Sequence, residues 1–139
     1  MTIQKFSFLF LILGVFSTAC SKDDPAPTPE PDANEQLANK LPGIWVTTKV
    51  LENGVNITAH SSTTMTFDSN KSLEVVGVES GILITATGTW LVKEEGKTLQ
   101  LTTNISGQTD YKINSFSDTK MVLEKTFGPN TRVFDFEKQ

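Results

Sequence analysis

The sequence predicts an all-β domain over residues 35–139: an eight-stranded antiparallel up-and-down barrel with a short N-terminal helical turn. Three observations predict it. Thr, Val, Ile and Phe fill that stretch, and these residues fit a pleated, half-buried surface. Turn residues recur roughly every ten positions, the punctuation of consecutive hairpins. Apolar and polar residues also alternate: Leu99 and Leu101 flank Gln100, Tyr111 and Ile113 alternate with Asp110 and Lys112, and Phe134 and Phe136 with Asp135 and Glu137. A period of two places one face of each strand in a core and the other in water.

Taken in order, Asn34–Leu41 carries the helical signal, with Asn34 in the capping position and Pro42 ending the turn. Strands are predicted at Gly43–Leu51, Ser62–Phe67, Ser72–Val78, Ile82–Val92, Thr98–Thr103, Thr109–Phe116, Lys120–Thr126 and Thr131–Glu137. The span Val55–Ser61 reads either as a strand extension or as a longer loop. Asn53-Gly54 is a strong tight-turn signal, and Ser69-Asn70-Lys71, Glu95-Gly96-Lys97 and Gly128-Pro129-Asn130 suit hairpin loops. Sequential hairpins that close on themselves leave no exposed edge, which favours a barrel. A β-sandwich, the competing architecture, usually needs a longer crossover loop, and none is obvious.

Ahead of the domain the chain carries an address. Lys5 precedes an apolar run from Phe6 to Phe16, followed by Ser17-Thr18-Ala19 and by Cys20, the single cysteine. A charged start, an apolar core and small residues before a cut make an export signal, and the run is far short of the ~20 residues that span a bilayer. Cys20 makes the segment resemble a bacterial lipoprotein signal. That resemblance implies removal of residues 1–19 and lipidation of the Cys20 thiol, palmitate being one such acyl chain; the alternative is an ordinary signal with an incidental cysteine. Each buried methylene of an acyl chain contributes roughly 0.8 kcal/mol to membrane binding. Ser21-Lys22-Asp23-Asp24 resembles the lysine-plus-acidic signal that carries lipoproteins of some Gram-negative lineages to the cell surface. The expected location is therefore the outer membrane, lipid-anchored and surface-exposed, with a periplasm-facing anchor as the alternative. Residues 20–34 form the lipidated cysteine and a proline-rich tether, an extended spacer that reaches roughly 30–40 Å.

With its only cysteine assigned to lipid, the domain has no disulfide and depends on its sheet core. The formal net charge is −4, and loss of Lys5 with the leader makes it about −5. A mildly acidic chain without a basic stripe excludes nucleic acid as an expected partner.

Leu41-Pro42-Gly43-Ile44-Trp45 carries a family resemblance. A Gly-x-Trp at the mouth of the first strand, after a short helical turn, resembles the signature of lipocalins. In that family the Trp plugs the closed end of the barrel and an Arg of the last strand packs across it, which implies a barrel-closing pair of Trp45 and Arg132. Thr66-Phe67-Asp68, Gly88-Thr89-Trp90 and Leu99-Gln100-Leu101 follow in the order found in lipocalin-like domains of small bacterial outer-membrane lipoproteins. The match covers roughly Leu37 to Glu137. The domain is short for a ligand-carrying lipocalin, so a roomy calyx does not follow from it.

Catalysis is not expected. His60, the only histidine, sits in a polar stretch beside Ser61 and Ser62, and adjacent strand residues point to opposite faces. Asp23/Asp24 and Glu94/Glu95 read as solvated charge rather than as a carboxylate pair facing across a cleft. No cofactor is implied, and no metal site: there is no Cys/His cluster for zinc, and Asp68-Ser69-Asn70 reads as a turn. Binding is the expected activity. Besides Trp45, the inward positions that would line a cavity are Met65, Phe67, Ile84, Trp90, Leu99, Leu101, Tyr111, Met121, Leu123 and Phe134. An apolar, aromatic lining suits a small hydrophobic or amphipathic ligand. The alternative is a barrel filled by those same side chains, acting as a surface accessory module that docks a protein or glycan partner.

Overall fold

The computed structural model describes residues 31–139; the leader, Cys20 and Ser21–Asp24 lie outside the described residues. Helix α1 (Ala33–Lys40) is followed by β1 (Gly43–Glu52), β2 (Val55–Asn56), β3 (Ser61–Phe67), β4 (Ser72–Glu79), β5 (Ile82–Lys93), β6 (Thr98–Thr103), β7 (Gly107–Phe116), β8 (Lys120–Phe127) and β9 (Asn130–Lys138). From β3 onward each strand pairs antiparallel with the next, β1 pairs with β3, and β9 returns to pair with β1, closing an eight-stranded barrel. The ambiguous span after Asn53-Gly54 resolves into β2, a two-residue strand folded back on β1, and a loop. Asn53 and Gly54 both have positive φ (50° and 83°), the tight hairpin turn expected of that pair.

Asp32, not Asn34, caps α1: its carboxylate accepts the Glu35 N–H at 2.8 Å. The Asn34 side chain instead accepts the Gly96 N–H at 2.9 Å, tying the helix to the β5–β6 turn. A helix this short is marginal alone. It holds because Leu37, Ala38 and Leu41 pack against the barrel core, and because its last carbonyls find donors. The Trp45 indole N–H donates to Leu41 O at 2.8 Å, and Lys138 Nζ donates to Lys40 O at 2.8 Å.

Two bulges set which residues face inward. In the β1–β9 ladder, Thr47 opposes Phe136 and Lys49 opposes Asp135, leaving Thr48 as an extra residue. The inward set accordingly passes from Trp45 and Thr47 to Val50 and leaves Lys49 exposed. Asn114 plays the same part on β7, between Ile113 and Ser115, and so turns Phe116 inward against Trp45, ring centroids 5.6 Å apart.

The core is lopsided. Leu41, Trp45, Phe67, Leu73, Trp90, Val92, Leu99, Met121, Leu123 and Phe136 are buried together in one cluster. Phe67 and Trp90 meet edge to face at 5.8 Å, and the Trp90 indole N–H donates to Asp68 O at 3.2 Å. At that end α1 lies over the barrel beside the β5–β6 turn, and Lys40 pairs with Asp118 of the β7–β8 turn at 3.0 Å. That end is closed and solid.

Candidate functional site: a cavity in the open half of the barrel

At the opposite end, near the β4–β5, β6–β7 and β8–β9 turns, side chains do not fill the interior. A cavity of about 410 Å³ is lined by Met65, Val75, Tyr111 and Phe134 at its floor and by Ser61, Glu79, Lys125, Phe127 and Arg132 toward its rim. A second cavity, about 240 Å³, shares Met65, Val75 and Tyr111 with it and runs out past Ile84, Ala86, Leu101 and Ile105. The barrel is thus filled in one half and hollow in the other, for a local reason. β3 and β4 send Met65, Val75 and Gly77 inward where the closed end has Phe67 and Leu73.

Of the residues expected to line a cavity, Met65, Leu101, Tyr111 and Phe134 do so, and Ile84 stands at the outer rim. Phe67, Trp90, Leu99, Met121 and Leu123 do not: they are part of the packed core and border neither space. Alternation identifies the inward face of a strand but not the height at which the interior empties.

The Trp45–Arg132 pair expected from the lipocalin resemblance does not form. Arg132 is on the inward face of β9, but register places it opposite Glu52, while Trp45 lies opposite Lys138. The cation over the Trp45 ring is Lys138 Nζ, 5.2 Å from its centroid. Gly43 makes room for it: a Cβ there would sit 2.5 Å from Lys138 Cε, and the φ of +136° is one that side-chain-bearing residues rarely adopt.

Arg132 instead spans the mouth. Its Nε donates to Glu52 Oε2 at 2.9 Å, and Nη2 contacts the same oxygen. Nη1 lies 3.1 and 3.2 Å from the Glu79 carboxylate oxygens, and the guanidinium is 5.3 Å from the Phe127 ring centroid. The buried Ser61 hydroxyl donates to Glu79 Oε2 at 2.7 Å and fixes that carboxylate. The cluster joins β9, β1 and β4 across the opening. Burial alone would weaken the hold of Arg132 on its proton, but the hydrogen bonds and charges of Glu52 and Glu79 outweigh it, so the group titrates even higher than usual. Sequence reading missed Glu52 and Glu79. Glu52 faces inward only because of the Thr48 bulge, whereas Glu79 was legible as the next step after Leu73, Val75 and Gly77.

Tyr111, the single tyrosine, borders both cavities. Its ring is 6.2 Å from Phe134, and Lys125 Nζ lies 5.7 Å from its centroid. Burial pushes its hydroxyl above the ordinary tyrosine range, and the Arg132 charge pulls it partly back. At neutral pH the cavity therefore presents a neutral phenol between an apolar floor and a charged rim. His60 is in the loop between β2 and β3, where its backbone N–H donates to Ile57 O at 2.8 Å. Among the described residues, no group of three His, Cys, Asp or Glu side chains could hold a metal ion, and no helix is long and apolar enough to cross a membrane.

No protein-family model matches the sequence, and no curated protein is similar to it. Among solved structures, the chain is similar to a redesigned β-barrel at 19% identity and a TM-score of 0.51, over 73% of this chain and 94% of that one. Bovine odorant-binding protein in complex with a selenium-containing odorant aligns at 19% identity and a TM-score of 0.49, over 74% of this chain and 75% of that one. The same bovine protein in complex with undecanal aligns at 17% identity and a TM-score of 0.45, over 79% and 77%. At 19% identity the first likeness is one of fold: the chain is a β-barrel of the same architecture as the redesigned barrel.

Proposed function

We propose that this protein is a lipid-anchored cell-envelope lipoprotein whose lipocalin-like barrel binds, without catalysis, a small hydrophobic or amphipathic molecule in the open half of its interior. The single observation that carries the binding reading is the cavity of about 410 Å³ with an apolar floor and a polar rim. Its size lies within the roughly 300–1,000 Å³ of small-molecule sites, and a few convergent polar groups over an apolar lining are what such sites use. An apolar tail fits against Met65, Val75 and Phe134, and a polar head fits beside Lys125, Arg132 and Glu79. The filled-barrel interaction module draws no support from this half of the interior.

Titration with anilinonaphthalene sulfonate, an apolar body with an anionic head, tests the binding reading. One-to-one binding with a micromolar dissociation constant is expected. Val75→Phe, which adds a ring where the two cavities meet, is expected to weaken it about tenfold, a change of about 1.4 kcal/mol. Equal binding by the variant, or none by the parent, would overturn the assignment.

The anchor rests on the sequence alone. Lys5, Phe6–Phe16 and Cys20 support lipidation, and Ser21–Asp24 supports export to the outer face of the outer membrane, with the periplasmic face as the second reading. Labelled palmitate is expected in the parent chain and absent from Cys20→Ser. Protease added to intact cells is expected to remove the domain, and its survival there would assign the periplasmic face.

A further inference from the structure

Two cations stand side by side on the inner face of the mouth. In the β8–β9 ladder Lys125 lies directly opposite Arg132, and in the β1–β9 ladder Arg132 lies opposite Glu52. On the other side of β8, Lys112 opposes Glu124, so one further step in that register brings Tyr111 beside Lys125. The Lys125 Nζ, 5.7 Å from the Tyr111 ring centroid, agrees with that step. Tyr111, Lys125, Arg132 and Glu52 thus form one row around the interior, and the first three border the larger cavity above its Met65 and Val75 floor.

Like charges directly opposite each other on paired strands are unfavourable. Arg132 is neutralised twice, by Glu52 and by Glu79. Lys125 is not: among the described residues no carboxylate pairs with its Nζ. The Tyr111 hydroxyl likewise has no hydrogen-bond partner among the described residues. No fully enclosed side-chain polar atom there lacks a partner, so that hydroxyl opens onto the cavity space. The acceptor side is already occupied. Glu79, the one carboxylate in the lining, takes Arg132 Nη1 on both oxygens and the Ser61 hydroxyl on Oε2. What the mouth has left to offer is donor capacity carrying one positive charge.

Resting on the binding reading above, we propose that the cavity takes an alkyl carboxylate whose head sits between Lys125 Nζ and Tyr111 Oη, beside the Arg132 ion pairs rather than within them. One carboxylate oxygen accepts from the ammonium and the other from the phenol, which supplies the charge that Lys125 lacks. Arg132 braces the mouth and leaves the ligand to its neighbour. The alkyl chain runs between Met65 and Val75 into the second cavity, whose lining holds no charged residue. A cationic head fits poorly, since it adds a third positive charge to the row and meets only a carboxylate that is already paired. A neutral alcohol satisfies one donor and leaves the Lys125 charge uncompensated.

The test titrates dodecanoate, dodecanol and dodecylamine into the full chain carrying Cys20→Ser, which removes the thiol at which an acyl group would compete. Apolar burial alone would rank dodecanol first, because it has the most water-averse head of the three. Dodecanoate is instead expected to bind roughly tenfold more tightly than either. Lys125→Met, which keeps the stem and drops the charge, is expected to erase the preference over dodecanol, and Lys125→Arg to keep it. Tyr111→Phe is expected to weaken dodecanoate about fivefold. Dodecanol or dodecylamine binding the parent as tightly as dodecanoate would overturn the proposal, and that comparison needs no variant. A preference that survives Lys125→Met, with the circular dichroism spectrum unchanged, would overturn it too. Either result leaves the anilinonaphthalene sulfonate titration, and with it the binding reading, standing. A parent that binds none of the three and no anilinonaphthalene sulfonate would overturn both.

Discussion

Gly88→Ala is expected to cost about 2–4 kcal/mol of folding stability, more than a methyl group normally disturbs a strand. A Cβ on Gly88 would sit 1.9 Å from Thr102 O, 2.8 Å from Thr102 C and 2.9 Å from Thr103 Cα. All three are backbone atoms, so no rotamer relieves the overlap. β6 would have to move off β5 at the Gly88–Thr103 pair, where the β5–β6 ladder begins. Overpacking of a side chain against side chains costs typically 1–3 kcal/mol; a clash with backbone belongs at the upper end or beyond. For a domain near 100 residues each kilocalorie lowers the melting temperature by about 4–8 °C. A thermal melt should therefore fall by roughly 10–25 °C. Gly77, also on an inward-facing strand position, meets nothing closer than 3.4 Å, and Gly77→Ala is the control. If the two variants melt together, the close approach of β5 and β6 is not what Gly88 provides.

Gly88 also illustrates what was legible in the sequence. Its place in a Gly-x-Trp pattern is visible in the sequence, but the pattern has a separate mechanical cause at each occurrence: close backbone approach at Gly88, room for Lys138 at Gly43. Strand order, hairpin turns and barrel closure followed from alternation and turn chemistry, because both are local and repeat with a fixed period. Two kinds of information were not local. The Thr48 and Asn114 bulges shift the inward set by one residue, and a run such as Thr47-Thr48-Lys49-Val50 does not announce where the extra residue falls. Height along the barrel depends on register between β1 and β9, which sent Lys138 rather than Arg132 to Trp45 and left Arg132 to meet Glu52 and Glu79 at the mouth. The same holds for the cavity lining: Phe67 and Trp90 of the solid end share one inward face with Met65 and Tyr111 of the hollow end, so alternation alone does not separate them.

The division of the barrel into a solid end and a hollow end predicts that stability and binding can be damaged separately, and Trp45→Ala is the sharper case. Trp45 is fully buried, packs 5.6 Å from Phe116, carries Lys138 over its ring and gives its indole N–H to Leu41 O. Truncation removes one of the two tryptophans of the closed end and leaves a buried carbonyl without its donor. Trp-to-Ala changes in cores cost about 3–5 kcal/mol, a large share of the roughly 5–15 kcal/mol that holds a domain together. The melting temperature should drop by about 15–30 °C, and α1, whose last carbonyls depend on Trp45 and Lys138, should lose protection against hydrogen exchange first. Trp45→Phe keeps one six-membered ring but loses the pyrrole part of the indole with its N–H donor, so its cost should lie below that of the alanine variant, at about 1–3 kcal/mol. Neither change touches a residue that lines the cavity. Below their melting temperatures both variants should bind anilinonaphthalene sulfonate within about threefold of the parent, a difference of less than 1 kcal/mol. Affinity that falls in step with stability while the chain stays folded would mean that the closed end shapes the open one, and that the hollow half is not an independent site.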